Sequence, residues 1–357
     1  MSLSAVYLHI PFCSSKCRYC DFNSYAGRNH EIARYMKALV REITERRPEE
    51  VFSIYIGGGT PSCVPAALYK DVFGALQFPG SGEITVEINP GSASAKWLCQ
   101  MKKFGVTRLS MGLQSTHADL LTYLGRQHTY EDFLQTYATA RAAGYDSINI
   151  DLLYGIPGMT MTQWKDTLKK VSFLKPDHCS IYELTIEKDT PLWHEHASVD
   201  ENAAADQYRY ALAFLEDHGY NRYEVSNFSV PGKECNHNCA YWRRMPYHGY
   251  GAGAVSFQGS TRWKNIDDPD EYIRRIDAGV SLSSEQEQLT VHDERIERVF
   301  LGLRLTQGII INSDDVPWVR EKLKKHDDEG LVLLDLPRVR LSSKGMLFSN
   351  RVFRDLW

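Results

Sequence analysis

A basic excess, a membrane-length apolar run and a high density of cysteine are all missing from this chain of 357 residues. Lys and Arg number 41 against 45 Asp and Glu, a net charge of −4. That balance argues against a protein built to hold a nucleic-acid backbone, whose footprint is clustered positive charge. Nowhere do about 18 apolar residues follow one another without interruption, the length a bilayer-spanning helix needs. The opening MSLSAVYLHI lacks the basic start and long apolar core of a secretory leader. Eight cysteines are too sparse for a disulfide-stapled scaffold. Internal repeats and low-complexity segments are missing as well. Apolar residues at 43% and charged residues at 24% are ordinary globular values, and this length implies two or three domains. The expectation is a soluble, cytoplasmic protein with reduced thiols and no nucleic-acid partner.

The first two-thirds alternates short apolar runs with amphipathic stretches. Val6–Ile10, Val51–Ile56, Glu83–Ile88, Val106–Met111, Ser147–Leu152 and Cys179–Leu184 read as buried parallel strands, with a weaker one near Tyr223. Between them, Ile32, Tyr35, Met36, Leu39 and Ile43 keep the helical period, with Asn29 as the expected cap and Pro48 as the stop. Thr129 and Asp132 form a capping-box pattern, and Gly144 ends that helix. A further helix carries Trp164, Leu168 and Val171 and stops before Pro176. Successive βα units predict a partial (β/α)6 barrel with its chemistry at the carboxyl ends of the strands. The expected division is a barrel over 1–233 and a second region over 234–357. In that region a loop rich in Asn, Gly, Tyr and Trp precedes helices near 271–278 and 294–305. A small α+β, winged-helix-like unit then closes the chain, with its last helix near 345–352. From Ser313 to Trp357 nine basic residues meet eight acidic ones, so a packing role is expected there rather than DNA binding.

Chemistry concentrates in the cysteines. Cys13, Cys17 and Cys20 follow the first strand directly, in His9-Ile-Pro-Phe-Cys13-Ser-Ser-Lys-Cys17-Arg-Tyr-Cys20-Asp-Phe22. Three thiolates on one C-x3-C-x2-C loop suit three irons of a cubane and leave the fourth open. The same thiolates with His9 would also make an ordinary zinc set. Cys63, Cys99 and Cys179 read as small buried apolar side chains. Gly57-Gly58-Gly59-Thr60-Pro61 ends the second strand, where glycines admit a ligand close to the backbone or simply make a tight turn. Glu87, Gln114 and Asp151 stand at the ends of later strands, and Arg126 follows in Leu-Gly-Arg-Gln-His. Such a mouth suits a zwitterionic, ribose-bearing ligand, with Arg126 gripping a carboxylate and Glu87 and Asp151 accepting from hydroxyls or an ammonium.

The cysteine triplet with its flanks, Tyr7-Leu-His-Ile-Pro-Phe-Cys13 and Cys20-Asp-Phe22, resembles the radical S-adenosylmethionine (SAM) enzymes of the HemN/HemW group. These are oxygen-independent coproporphyrinogen III oxidases and their haem-chaperone relatives. The resemblance implies a [4Fe–4S] cluster on Cys13, Cys17 and Cys20, whose open iron SAM chelates. It implies SAM contacts at Tyr7, Gly58, Gly59, Thr60, Glu87, Gln114, Arg126 and Asp151. Two departures favour the chaperone branch. Phe22 stands where the oxidases carry a further cysteine, and the chain begins six residues before Tyr7, without their N-terminal extension. Glu-Cys235-Asn-His237-Asn238-Cys-Ala-Tyr241-Trp242 holds an H-N-x-x-Y pattern that resembles the chaperones' haem-binding motif.

The resemblance therefore implies haem as cargo, with His237 as axial imidazole and Asn238 and Tyr241 beside it. Arg243 and Arg244 would pair with propionates, and the Gly249–Gly253 run would admit a flat ligand. Cys239 leaves other arrangements open: zinc on Cys235, His237 and Cys239, or a thiolate on the haem iron. The expected function is a haem chaperone of porphyrin metabolism that hands haem to acceptor proteins, with a homodimer left open. The alternative is a coproporphyrinogen III oxidase, in which a radical removes a propionate β-hydrogen and loss of carbon dioxide leaves a vinyl group. Radical modification of RNA fits less well, for want of a basic surface.

Overall fold

A computed structural model describes residues 3–78 and 82–357. Six strands lie parallel in chain order: β1 (Leu3–Ile10), β2 (Glu50–Gly58), β3 (Glu83–Ile88), β4 (Arg108–Gln114), β5 (Ile148–Tyr154) and β6 (His178–Glu183). Both faces of these strands are covered; β4 is buried at every residue. The longer helices between them are α1 (Ile32–Arg46), α2 (Ala66–Leu76), α3 (Ala95–Lys103), α4 (Tyr130–Ala142) and α5 (Met161–Leu174). This is the expected partial (β/α)6 barrel. Among the described residues no helix is long and apolar enough to cross a membrane.

Local chemistry sets the boundaries. The expected capping box forms at α4, with Thr129 and Asp132 exchanging side-chain and backbone bonds. β4 starts later than its apolar run, because the Val106 N–H returns to the Met101 carbonyl to finish α3. Asn29 does not cap α1: it opens a 3-10 turn, Asn29–Glu31, and the helix begins on Glu31 without a side-chain cap. The Glu31 carboxylate is instead held by Arg28 at 2.6 Å. The weak strand near Tyr223 is a two-residue edge piece, Asn221–Arg222.

The sheet does not stop at the expected division between 233 and 234. A strand at Tyr247–Tyr250 joins β1 in parallel, and Val255–Gln258, Thr261–Asn265 and Ser283–Gln288 continue it antiparallel. The core follows suit, with Tyr250, Tyr272 and Ile276 packing into the barrel cluster. A separate core begins only at Ile296 and runs to Leu356 around a three-stranded sheet, the expected α+β unit. Its final helix is split into Ser343–Leu347 and Ser349–Arg354.

Glu42 on α1 ties the added strands down. Fully buried, it accepts from the Gly251 N–H at 2.8 Å, the Asn265 amide at 2.8 Å and the Tyr272 hydroxyl at 2.7 Å, and pairs with Arg46 at 2.8 Å. Truncating a buried charge strands every donor aimed at it. Glu42→Ala should therefore lower unfolding stability by about 3 kcal/mol in a denaturant titration. A loss within about 0.5 kcal/mol, typical of a surface substitution, would show that these bonds do not hold the sheet extension.

Candidate functional site

The cysteine loop is fastened before any cofactor is considered. The Arg18 N–H donates to the Leu124 carbonyl at 3.0 Å, its guanidinium reaches the Tyr123 carbonyl at 2.8 Å, and it pairs with Glu195. On the other side the backbone of β2's end runs against the loop, Gly59 N–H to Ile10 at 2.8 Å and Thr60 N–H to Phe12 at 2.7 Å. A Cβ on Gly59 would lie 2.6 Å from the Phe12 oxygen and 2.9 Å from Cys13 Sγ, so no larger residue fits.

Cys13, Cys17 and Cys20 all line one cavity of about 310 Å³. A donor reaches two of the sulfurs: Thr60 Oγ1 reaches Cys13 Sγ at 3.5 Å and Arg126 Nη1 reaches Cys17 Sγ at 3.6 Å. Ser24 Oγ lies 3.9 Å from Cys20 Sγ. Burial pushes the Cys13 and Cys20 thiols upward, so these thiolates need metal or donors to persist. Among the described residues no three His, Cys, Asp or Glu side chains converge on a single ion. A zinc ion requires that convergence. A cubane takes each thiolate on a different iron, and so does not.

The remaining walls come from the strand ends. Gly58, Gly59, Thr60, Glu87, Gln114, Arg126 and Asp151 all face this cavity. Arg126 is nearly buried; Nη2 donates to the Gly112 carbonyl at 2.6 Å and Asn89 at 2.8 Å, while Nε has no partner. An orphaned buried donor at a cavity wall suits an anionic ligand group. Glu87 accepts from the Tyr55 hydroxyl at 2.9 Å and the Gly58 N–H at 3.2 Å, yet burial pushes its carboxyl up to about 7. Asp151, accepting from Ser110 at 3.0 Å and Asn149 at 2.8 Å, is also pushed up by burial. Gln114 adopts φ +69°, where non-glycine backbone is strained, at a register shift in β4. Three thiols, an unpaired guanidinium Nε–H and two carboxyls therefore fit a thiolate-held cluster with a zwitterionic ligand.

Two wall residues carry roles that the sequence reading did not assign. Asn89 links Thr60, at 2.8 Å, to Arg126. Tyr19 lines the cavity between two of the cysteines. Asn89 stands in the same Val-Glu-Ile-Asn-Pro run as Glu87, so its position at a strand end was the available signal.

Tyr7 lies elsewhere. It lines a second cavity of about 750 Å³ that shares Gly58 and Glu87 with the first. Its hydroxyl meets His9 Nδ1 at 3.0 Å.

The H-N-x-x-Y segment is a helix, Asn236–Trp242, rather than a loop, and His237 points into the barrel core. Its Nδ1 lies 3.1 Å from Ser53 Oγ and its Nε2 3.0 Å from the Tyr241 hydroxyl, while Tyr55 packs on the ring. Burial, helped by the Arg108 charge, lowers its pKa to about 3, so it is neutral. Both of its ring nitrogens are thus engaged, and His237 is not among the residues that line the cavity beside Tyr241. Cys235 is fully buried with its thiol toward Glu83 at 3.4 Å, and Cys239 is buried beside it, so neither faces a ligand. Arg244 is taken by Glu297 at 2.8 Å and Glu294 at 3.4 Å. Arg243 is exposed and Asn238 half-buried. The glycines of 249–253 serve the protein's own packing, since a Cβ on Gly249 would lie 2.1 Å from the Val255 oxygen.

The barrel and its cysteine-lined mouth define a radical SAM architecture, and residues 7–171 match the model of the Radical SAM superfamily. The heme chaperone HemW of Lactococcus lactis is 33% identical over 98% of this chain and 96% of its own. The bovine mitochondrial radical S-adenosyl methionine domain-containing protein 1 is 32% identical over 96% of this chain and 85% of its own. Coproporphyrinogen III oxidase (HemN) from Escherichia coli shares the fold, with a TM-score of 0.87 over 99% of this chain and 90% of that one, at 24% identity. The chain belongs to the radical SAM HemN/HemW family. Membership implies a [4Fe–4S] cluster and SAM.

Arg126→Ala should weaken SAM binding at least tenfold in anaerobic equilibrium dialysis while iron content stays unchanged. Unchanged affinity would remove Arg126 from the site. Glu87 gives a pH signature. Folded, it keeps its proton up to about 7, whereas its ordinary value is 4.5. The folded state binds the extra proton, so this group's stabilisation is full below about 4.5 and is lost as pH rises through about 7. A Glu87 carboxylate able to accept from a ligand's hydroxyl or ammonium exists only above that value. SAM affinity should rise between about pH 6 and 8 in wild type and stay flat in Glu87→Gln. An equal pH dependence in both proteins would contradict the assignment.

Proposed function

We propose that the protein is a cytoplasmic haem chaperone: it binds haem and passes it to acceptor proteins, and carries a SAM-chelated [4Fe–4S] cluster. The observation that carries this reading is the pairing of two adjoining cavities with near-full-length similarity to proteins described as heme chaperones. One cavity is lined by the three cysteines; the other, about 750 Å³, is walled by Tyr25, Tyr241 and Tyr247, and Phe22 borders both. That volume lies within the range of roughly 300–1,000 Å³ usual for sites that enclose a small organic ligand.

In this reading Cys13, Cys17 and Cys20 hold the cluster, and Arg126 donates to the SAM carboxylate from its unpaired Nε. Glu87 and Asp151 accept from ribose hydroxyls or the ammonium. When bound, the cluster and SAM supply an open iron position and reductive chemistry. The protein's own residues orient SAM and keep it dry: Asn89 fixes Arg126 and Thr60 together, and Gly59 keeps the cysteine loop in place. Oxidation of coproporphyrinogen is less favoured. Phe22 stands in place of the oxidases' extra cysteine, and likeness to HemN at 24% identity speaks to fold alone.

Titrating anaerobically reconstituted protein with haem should give a saturable one-to-one Soret change. Mixing the loaded protein with an apo-haemoprotein should then move the Soret band to that of the acceptor. Absence of saturable binding, or anaerobic turnover of coproporphyrinogen III, would overturn the reading.

A further inference from the structure

Cys63 is not the small buried apolar side chain expected from its isolation in the sequence. It stands half-buried on the wall of a further cavity, of about 520 Å³, among serines, asparagines and Arg126. The residue closes a 3-10 turn, Pro61–Cys63, that follows the glycine run, and its N–H returns to the Thr60 carbonyl at 2.9 Å. The Tyr69 hydroxyl pins the same turn by donating to the Pro61 carbonyl at 2.9 Å. Backbone thus fixes where this sulfur stands.

Its surroundings are those of a ligand rather than of a core residue. The Ser14 N–H, the Ser14 hydroxyl and the Thr60 hydroxyl all face the sulfur. Burial raises the thiol's pKa while these donors oppose the rise, and a binding metal displaces such a proton. Ser14 directly follows Cys13, and the Thr60 hydroxyl also donates to Cys13 Sγ at 3.5 Å, so Cys63 lies against the cysteine loop itself. Cys17 lines both this outer cavity and the inner one of about 310 Å³. Of the two, Cys13 and Cys20 line the inner alone and Cys63 the outer alone. Arg126 borders both as well; it is nearly buried, and its Nε has no partner among the described residues. Thiolate-ligated iron–sulfur units are anionic, and a guanidinium at the passage between the cavities favours them.

Resting on the cluster assignment and not on the haem reading, we propose that Cys63 is an entry thiol. It takes an incoming thiolate-ligated iron–sulfur unit in the outer cavity and passes it to Cys17, which lines both. Each step is a ligand exchange. The Cys63 sulfur forms a bond to iron as one thiolate of the carrier leaves, and that thiolate takes up the proton Cys63 gives. Cys17 then loses its proton and bonds the same iron, and Cys63 departs as the thiol with that proton. Iron and sulfur keep their oxidation states throughout. Since Cys63 does not line the inner cavity, it holds no place in the finished cluster, whose fourth iron stays open for SAM.

The test follows cluster uptake by the apo-protein, under anaerobic conditions, from a [4Fe–4S] cluster ligated by a small thiol. Wild type, Cys63→Ala, Cys63→Ser and Cys99→Ala are compared by the growth of visible sulfur-to-iron absorbance and by final iron and sulfide content. Cys99 is exposed and lines neither cavity, so Cys99→Ala controls for the loss of a thiol. Both Cys63 variants should take up the cluster at least about tenfold more slowly, for want of a positioned exchange partner, and reach the wild-type iron content. Cys99→Ala should match wild type. Alkylation should modify Cys63 equally in apo and loaded protein, whereas loading protects Cys13, Cys17 and Cys20. Wild-type uptake rates in both Cys63 variants overturn the proposal. A lower final iron content in Cys63→Ser, or protection of Cys63 on loading, also overturns it, because either makes Cys63 a permanent ligand. Should Cys63→Ala fail to fold, the isosteric Cys63→Ser decides by its rate. Wild-type protein that takes up no cluster overturns the cluster assignment as well.

Discussion

The close approach of the cysteine loop to the end of the second strand is the constraint on which the site depends. Backbone bonds at 2.8 and 2.7 Å run from Gly59 and Thr60 to Ile10 and Phe12, leaving no room for a side chain at 59. Parallel strands present their carboxyl ends to one side, so whatever follows each strand converges there. The first strand delivers the thiols, the second the glycines and Thr60, the third Glu87 and Asn89, the fourth Gln114 and the fifth Asp151. Arg126, on the segment after the fourth strand, crosses the mouth to touch a loop more than a hundred residues away. Cofactor geometry is thus a consequence of sheet geometry.

Beneath that mouth the barrel interior is polar, which is costly and must be matched bond for bond. From Asp151 the bonds run through Asn149 at 2.8 Å to His178 at 2.6 Å and on to the Tyr223 hydroxyl at 2.8 Å. Tyr223 in turn accepts the Cys235 N–H at 3.3 Å, and Glu83 receives the backbone of Asn236 and His237 at 3.2 Å each. The helix that carries H-N-x-x-Y is therefore wired to the floor of the cysteine-lined cavity. Burial keeps His178 and His237 neutral, reinforced by the positive charge of Arg108, itself buried among Glu83, Cys235 and Tyr55.

Much of this was legible in the sequence. Runs rich in Val, Ile and Tyr ending in Gly, Pro or Asn placed the parallel strands and hence the mouth, and three cysteines on one loop announced the cluster. Glu87, Gln114, Arg126 and Asp151 do meet across the cavity, because each sits at or just after a strand end. What could not be read was side-chain direction. A histidine beside a domain junction gives no sign of pointing inward, and His237 does so because Ser53 and Tyr241 satisfy both its nitrogens. Nor did the composition shift after residue 233 reveal that Tyr247–Tyr250 would pair with the first strand; the Glu42 network that ties the added strands down draws Gly251 and Tyr272 from more than two hundred residues away.

The central claim is that two adjoining cavities divide the labour, the cysteine-lined one for SAM and the aromatic one for haem. An anaerobic crystal structure of the protein loaded with iron, sulfide, SAM and haem tests it most directly. The account predicts SAM against Arg126, Glu87 and Asp151, and a haem in the neighbouring cavity. SAM bound outside the cysteine-lined cavity, or haem held on the outer surface away from both cavities, would contradict it.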